Sequence, residues 1–313
     1  MIRFLLRRLI FALLLVVAVS SGALLLTRLA PGDVTEQLGP FARAEEVART
    51  RARFGLDRNI ASQWGEWTLR AIRFDFGDSY LYNRPVAVLI QRAAGNTAVL
   101  AVTALAAATL VGLPLGIVTG TRPRGALAAI IRACSIVLLS MPPLLTSLVL
   151  VFFAARTGWF PIGGMQTGAS GGAIIDLLYH LVVPATALAL PLAARFERLQ
   201  SQAMRVVVGQ PYVLAALARG VPRSRVLWRD ALKAALVPIS SVYGLVVGAL
   251  LSGSFAVEII TTWPGLGRLM LEALRARDVY LVAGCAATGS VFLACGTFLS
   301  DAALACVDPR ARE

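Results

Sequence analysis

Polarity along the chain alternates between long apolar runs and short charged ones. A membrane-crossing helix needs about 20 mostly apolar residues. Six runs meet or approach that length: residues 9–27, 97–119, 133–155, 177–194, 239–257 and 281–300. Pro114 lies inside the second and Pro142-Pro143 near the middle of the third, while His180, Pro184 and Pro191 make the fourth the weakest. Neighbouring helices and water can satisfy the backbone groups that in-span prolines free. Each run is therefore predicted as one transmembrane helix, in an all-α polytopic membrane fold. Residues 30–93 are too long for a simple turn. Trp64, Trp67, Leu69 and Phe74 among charges predict short amphipathic helices there.

Charge orients the spans. Arg3, Arg7 and Arg8 precede the first, and Arg122, Arg124 and Arg132 lie between the second and third with no acid beside them. Between the fourth and fifth come Arg195, Arg198, Arg205, Arg219, Arg223, Arg225, Arg229 and Lys233, against Glu197 and Asp230. The other connections are close to neutral: residues 30–93 hold nine Arg and eight acids. Short, strongly basic connections belong in the cytoplasm. Both termini are then cytoplasmic, which six spans satisfy. The chain divides into residues 1–29 (N-terminal end and first span), an extracytoplasmic segment 30–93, and a five-span core 94–313 with a cytoplasmic loop at 195–238.

Composition narrows the function classes. The hydrophobic fraction is 58% and the charged fraction 15%, against about 45–50% and 25% in soluble chains. A soluble enzyme or nucleic-acid reader of this size would lack polar side chains to cover its surface. The net charge of +13 is read as a topology signal, and no nucleic-acid partner is expected. Cys134, Cys285, Cys295 and Cys306 form no CxxC pair, and His180 has no HxxxH companion, so no metal site is expected. The first run is read as a retained anchor rather than a cleaved signal peptide.

The spans contain no Asp, Glu, Lys or Arg, whereas ion-driven transporters usually place ionisable groups at mid-membrane depth. No P-loop is present, because Lys233, the single lysine, follows Leu232 rather than glycine. HExxH and GxSxG are also missing, so no catalytic residue is expected. Uphill movement would have to draw energy from a partner docked on a cytoplasmic loop.

The loop at 195–238 reads as structured. Pro211 can open a helix and Gly220 can close it in the left-handed conformation. Pro222 can open a second helix, which Pro238 would interrupt, with Arg225, Arg229 and Lys233 as a basic stripe and Val226, Leu227, Ala231, Leu232 and Ala235 largely opposite. Such a hairpin could enter another protein's groove or touch anionic lipid.

Leu214-Ala215-Ala216, Gly220 and Asp230 resemble the EAA loop of binding-protein-dependent ABC importer permeases. The chain as a whole resembles the B-type permease subunit of the dipeptide/oligopeptide/nickel importer family. The likeness is carried by Arg7-Arg8-Leu9, Arg28 to Asp33, Phe54-Gly55-Leu56-Asp57, Asp75 to Ser79, Arg84-Pro85-Val86 and Ser140-Met141-Pro142-Pro143. It continues through Val257-Glu258, Trp263-Pro264-Gly265-Leu266-Gly267-Arg268, Ala276-Arg277-Asp278 and Val307 to Arg310. Leu214 stands where many ABC permeases carry glutamate; peptide-type members often lack that acid, so coupling is not taken as lost.

The resemblance implies a type I ABC importer permease in the bacterial plasma (inner) membrane. Its implied partners are a second permease forming a heterodimer, two ATPases that bind ATP and Mg, an extracytoplasmic solute-binding protein and the lipid bilayer; this chain itself would hold no cofactor. Coupling would rest on Leu214, Ala215, Ala216, Gly220, Val221, Pro222, Arg223 and Arg225, with the two alanines allowing close approach to the ATPase groove. Met141, Pro142, Ser252, Ser254 and Glu258 are candidates for the path or its gate, although core packing accounts for the same residue types. Trp263, Pro264, Gly265, Gly267 and Arg268 read as a rigid outer corner. Peptides are the first choice of cargo, with nickel chelates, haem, glutathione and sugars as alternatives within the family. A stand-alone transporter or channel would need no ATPase, and an intramembrane enzyme would need reactive pairs that the spans lack.

Overall fold

The computed structural model describes residues 2–30, 32, 35, 43–53, 57–165 and 173–307. Among them the helices run in the order α1 (Ile2–Leu29), α2 (Ala44–Arg53), α3 (Ile60–Ala71), α4 (Val86–Thr121), α5 (Ala126–Ser140), α6 (Pro143–Thr157), α7 (Ala173–Val208) and α8 (Pro211–Ala218). After α9 (Arg223–Arg225) comes a π-helical turn (Val226–Ala231), then α10 (Leu232–Ala235), α11 (Val237–Ile260), α12 (Leu266–Arg275) and α13 (Val279–Val307). One isolated bridge joins Asp78 and Pro85. The motif residues Pro31, Asp33, Phe54 to Leu56 and 308–310 lie outside the described residues, as do 166–172 in the glycine-rich loop.

Among the described residues four helices are long and apolar enough to cross a membrane: Arg8–Leu29 within α1, α4, Ile174–Val208 within α7 and Val279–Phe298 within α13. Two bent pairs pass together, α5 with α6 and Arg223–Ser240 with Val242–Gly248, which makes six if each pair is one span. The third run is thus not the single helix its hydropathy predicts. It bends by 105° between Ser140 and Pro143. Proline pushes the residue before it out of the α region, so Met141 and Pro142 are both extended (ψ 117° and 150°). Pro143 then opens α6 at its first position, where a missing N–H costs nothing.

The fourth run, weakest by hydropathy, forms a helix of 36 residues that carries Pro184 and Pro191 inside it. It continues through Arg195, Glu197, Arg198 and Arg205, which the sequence reading placed in the cytoplasmic loop. Much of the loop is therefore an extension of a span.

Contacts group the chain into two units, Met1–Thr97 with Pro264–Ala294, and Ala98–Trp263 with Cys295–Glu313. In the second unit α7 is central, packed by α5, α6 and α11. Leu181, Leu188, Leu192 and Phe196 join Leu100, Ala104, Val246, Leu250 and Trp263 in its core. Tyr243 of α11 stacks on Phe196 at 5.1 Å between centroids and shares a 2.7 Å hydrogen bond with Thr109 of α4.

A glycine seam brings α4 onto α7. Gly112, Gly116 and Gly120 recur every four residues and lie on one helical face. A Cβ on Gly112 would fall 2.5 Å from the Ala193 carbonyl oxygen, one on Gly116 2.5 Å from the Gln200 Cβ, and one on Gly120 2.6 Å from the Met204 Cβ. Small residues at every fourth position let membrane helices approach backbone to backbone. Beside the seam, buried Thr119 donates a 2.5 Å hydrogen bond to the buried Glu197 carboxyl group.

In the first unit α3 packs on α1. Trp67 is buried against Leu24 and Ala283, and the Trp64 indole N–H donates to the Ser21 hydroxyl at 2.7 Å.

Candidate functional site

The hairpin starts from the end of α7. Pro211 occupies the first turn of α8, and Gly220 ends the helix at φ +78°. The Gly220 N–H donates to the Leu217 carbonyl at 3.0 Å and the Val221 N–H to the Ala216 carbonyl at 3.2 Å. That pair of bonds is the Schellman closure, which requires the left-handed conformation at its turning residue. Pro222 follows in an extended conformation and leads into α9.

The buried positions after it are Val226, Ala231, Ala235 and Ile239. The first step is five residues and the others four. An α-helix would turn Val226 and Ala231 to different faces, and the wider π turn at Val226–Ala231 keeps them on one. Ala231 and Ala235 pack on Met204 and Ile117, while Val226 closes a cluster with Val213, Ala216, Val207, Leu217 and Val221. The hairpin is thus packed on α7 by small apolar contacts.

This packing separates the two alanines. Ala216 faces inward in that cluster, whereas Ala215 faces outward with Tyr212 and Leu214. Arg223, Arg225, Arg229 and Lys233 are exposed, as the basic stripe requires. Trp228 is exposed beside them, a residue to which the sequence pattern assigned no role.

The candidate path residues fall in the second unit. Half-buried Met141 and exposed Pro142 form the elbow between α5 and α6. A Cβ on Gly253 of α11 would meet Pro143 at 3.8 Å and Leu188 at 3.9 Å, so the elbow abuts the 252–254 stretch. The side chain of Ser252 lies outside the described ones. Ser254 is buried and donates to its own helix at the Leu251 carbonyl, 2.9 Å away. Glu258, one turn further along α11, is fully buried.

At the corner after α11 Thr262 has φ +50°, and the Trp263 N–H returns to the Glu258 carbonyl at 2.9 Å, with the Trp263 ring buried. Beyond it, in the first unit, Asn96 donates to the Pro264 carbonyl at 2.7 Å, and the Leu266 N–H at the start of α12 donates to the Thr97 hydroxyl at 2.9 Å. Gly265 has no side chain to cap α12, so a hydroxyl from another helix serves instead. Gly267 is buried, and Arg268 pairs with Glu272 at 2.9 Å. Glu272 also accepts the Tyr82 hydroxyl. Burial, then that bond, pushes the Tyr82 hydroxyl up to about 12, so it stays a neutral donor.

Asp278 is the main residue that sequence reading left without a role. It is buried. Its carboxyl group accepts the Ser79 hydroxyl at 2.7 Å, the Leu81 N–H at 3.0 Å and the Leu281 N–H at 3.1 Å. One side chain thereby caps α13 and fastens the turn before α4. The Ser/Asp/Asn-before-helix signal could have found the cap, but not the contact across 199 residues. Glu197 and the glycine seam were missed likewise. Among the described residues no His/Cys/Asp/Glu group could hold a metal, and the His180 Nδ1 lies 2.9 Å from the Asp176 carbonyl one turn back.

Residues 112–313 match the family model described as binding-protein-dependent transport system inner membrane component, and residues 1–80 match the N-terminal model of the same system. The oligopeptide transport system permease protein AppB of Bacillus subtilis is 29% identical over 313 residues, covering 99% of each chain. The oligopeptide transport system permease protein OppB of Mycobacterium tuberculosis is 31% identical over 325 residues, covering 100% of this chain and 99% of its own.

Proposed function

This chain belongs to the family of binding-protein-dependent transport system inner membrane components, and on that premise we propose that it forms half of the translocation path for di- or oligopeptides. It is a multi-pass subunit of the bacterial plasma membrane and a transport component rather than an enzyme; ATP is hydrolysed by partner subunits of the importer. Two relatives that align end to end carry oligopeptide transport in their names, and that observation carries the peptide reading. A second, similar permease completes the path, two ATPases bind ATP and Mg, and an external binding protein delivers the peptide to the extracytoplasmic side.

In this reading the hairpin is the handle. ATP draws the ATPases together, and their groove grips the outward face of α8, with Leu214 and Ala215 in contact and the basic side chains of Arg223 and Arg225 alongside. Ala216 and Val221 act from inside and exposed Pro222 by restricting the turn, and together they keep the hairpin stiff. Motion enters α7 at Val208 and passes along a helix that the glycine seam joins to α4. The elbow at Met141-Pro142, with Ser252, Ser254 and Glu258 on α11, lines or gates the path. The corner from Trp263 to Arg268 holds the outer end.

Reconstitution of the whole importer in liposomes tests both halves. Wild type with ATP, both ATPases and the binding protein is expected to accumulate a labelled oligopeptide, and this chain alone is not. Uptake of a nickel chelate, haem or a sugar with no peptide uptake would overturn the cargo. Gly220→Val is expected to leave ATP turnover intact and lower uptake by about tenfold. A side chain forced left-handed costs roughly 1–2 kcal/mol, and about 1.4 kcal/mol is a factor of ten in an equilibrium. Nothing lies within 4 Å of a Cβ at Gly220, so the loss would come from the turn and not from a clash. Uptake at the wild-type rate would exclude the hairpin as the coupling element.

A further inference from the structure

We propose that α3, with the turn that follows it, is embedded in the outer leaflet of the bilayer as an interfacial helix whose free apolar flank faces lipid acyl chains.

The level of the helix comes from its contacts with α1. The apolar span of α1 is Arg8–Leu29, 22 residues. At 1.5 Å per residue that is about 33 Å, against a hydrocarbon core of about 30 Å. The stretch is about 3 Å longer than the core and carries Arg8 and Arg28 near its two ends, which fixes its level to within a few ångström. Ser21 lies eight residues before the outer end of that span, roughly 12 Å below it. Ser21 receives the Trp64 indole N–H, and Leu24 packs on Trp67. The part of α3 nearest α1 is therefore held at acyl-chain depth, not in the water above.

The sequence of α3 fits the same placement. Ser62, Glu66 and Arg70 recur every four residues, and Arg73 continues their stripe. Gln63, Trp67 and Ala71 turn towards protein. Trp64 and Ile72 lie off the polar stripe and Leu69 borders it beside Ser62, and little of the described chain covers this flank: Leu69 is 68% exposed, Ile72 71% and Phe74 79%. The apolar arc is wider than the protein it packs on, and at that depth acyl chains are placed to cover the rest. Glu66 is neutralised by Arg58, whose Nη1 lies 2.7 Å and 2.9 Å from its two oxygens. Arg70 and Arg73 have stems long enough to reach lipid phosphates from this level.

Site-directed spin labelling of the full importer in nanodiscs tests the assignment. Leu69→Cys, Ile72→Cys and Glu66→Cys are placed singly in a chain whose native cysteines are alanine. Accessibility to oxygen, which concentrates in acyl chains, is compared with accessibility to a water-soluble nickel chelate. The ratio is expected to be several-fold higher at 69 and 72 than at 66, with or without the binding protein. A nickel-accessible label at 69 and 72 would put α3 in water. A label shielded from both reagents only while the binding protein is bound would make the flank a protein docking face. Either result overturns the proposal, and neither bears on peptide uptake, which is read separately. Quenching of Trp64 by bromolipids, taken as the difference from Trp64→Phe, gives the same decision without any cysteine change.

Discussion

Gly116→Leu is expected to remove the folded chain from the membrane almost completely. The Cβ alone would stand 2.5 Å from the Gln200 Cβ and 2.7 Å from the Glu197 carbonyl oxygen, and the rest of the leucine has no space beyond them. The neighbour is backbone and the root of a side chain, so no rotamer change relieves the contact. Nor can α7 tilt away locally, because Gly112 and Gly120 hold it at equal distance one turn to each side. Separation of the helices would also break the Thr119 hydrogen bond to Glu197. Over-packing costs about 1–3 kcal/mol, and a buried polar group left without its partner about 1–3 kcal/mol more. The sum, about 2–6 kcal/mol, is a large part of the 5–15 kcal/mol that stabilises an ordinary domain. Gly116→Ala should fall between wild type and leucine. Gly22→Ala in α1, where a Cβ meets nothing within 4 Å, serves as the neutral control. Monodisperse protein measured by size exclusion after detergent extraction gives the order. Wild-type recovery of the leucine variant would mean that α4 and α7 do not touch at the seam.

Asp278→Ala should produce the second largest loss. Three hydrogen bonds end on its carboxyl group. Removal of a helix cap costs about 0.5–2 kcal/mol. Stranding the buried Ser79 hydroxyl adds about 1–3 kcal/mol. A drop of about 1.5–5 kcal/mol is expected, visible as a lower melting temperature in detergent and as protease cleavage between residues 72 and 85. Asp278→Asn keeps an acceptor for Leu281 and should lose less. Equal melting of Ala, Asn and wild type would show that the cap and the Ser79 bond contribute nothing.

Legibility in sequence followed the range of the forces involved. The hairpin was readable because its determinants are local: Pro211, Gly220 and Pro222 each restrict their own backbone. The inward turn of Ala216 was not, since Ala215 and Ala216 are chemically identical and only the partner Val226 distinguishes them. Residues 177–194, the weakest run by hydropathy, do form the span that was expected of them. Pro184 and Pro191 lower the hydropathy average, yet the helix persists because α4, α5, α6 and α11 surround it. Pro142-Pro143 had the opposite outcome, since two adjacent prolines restrict two consecutive residues and leave no helical path between them.

The amino-acid order by itself determined which stretches are apolar enough to enter a bilayer and where the hairpin turns. Transfer of side chains into hydrocarbon and the bias of arginine are sums over neighbouring residues. Tertiary structure alone decided that α7 is the axis of its unit, that Gly112, Gly116 and Gly120 meet it, and that Asp278 reaches back to Ser79. In lipid, apolar surface gains nothing by choosing another helix over an acyl chain, so partners are selected by close shape and by buried hydrogen bonds. Those depend on residues brought together from distant parts of the chain.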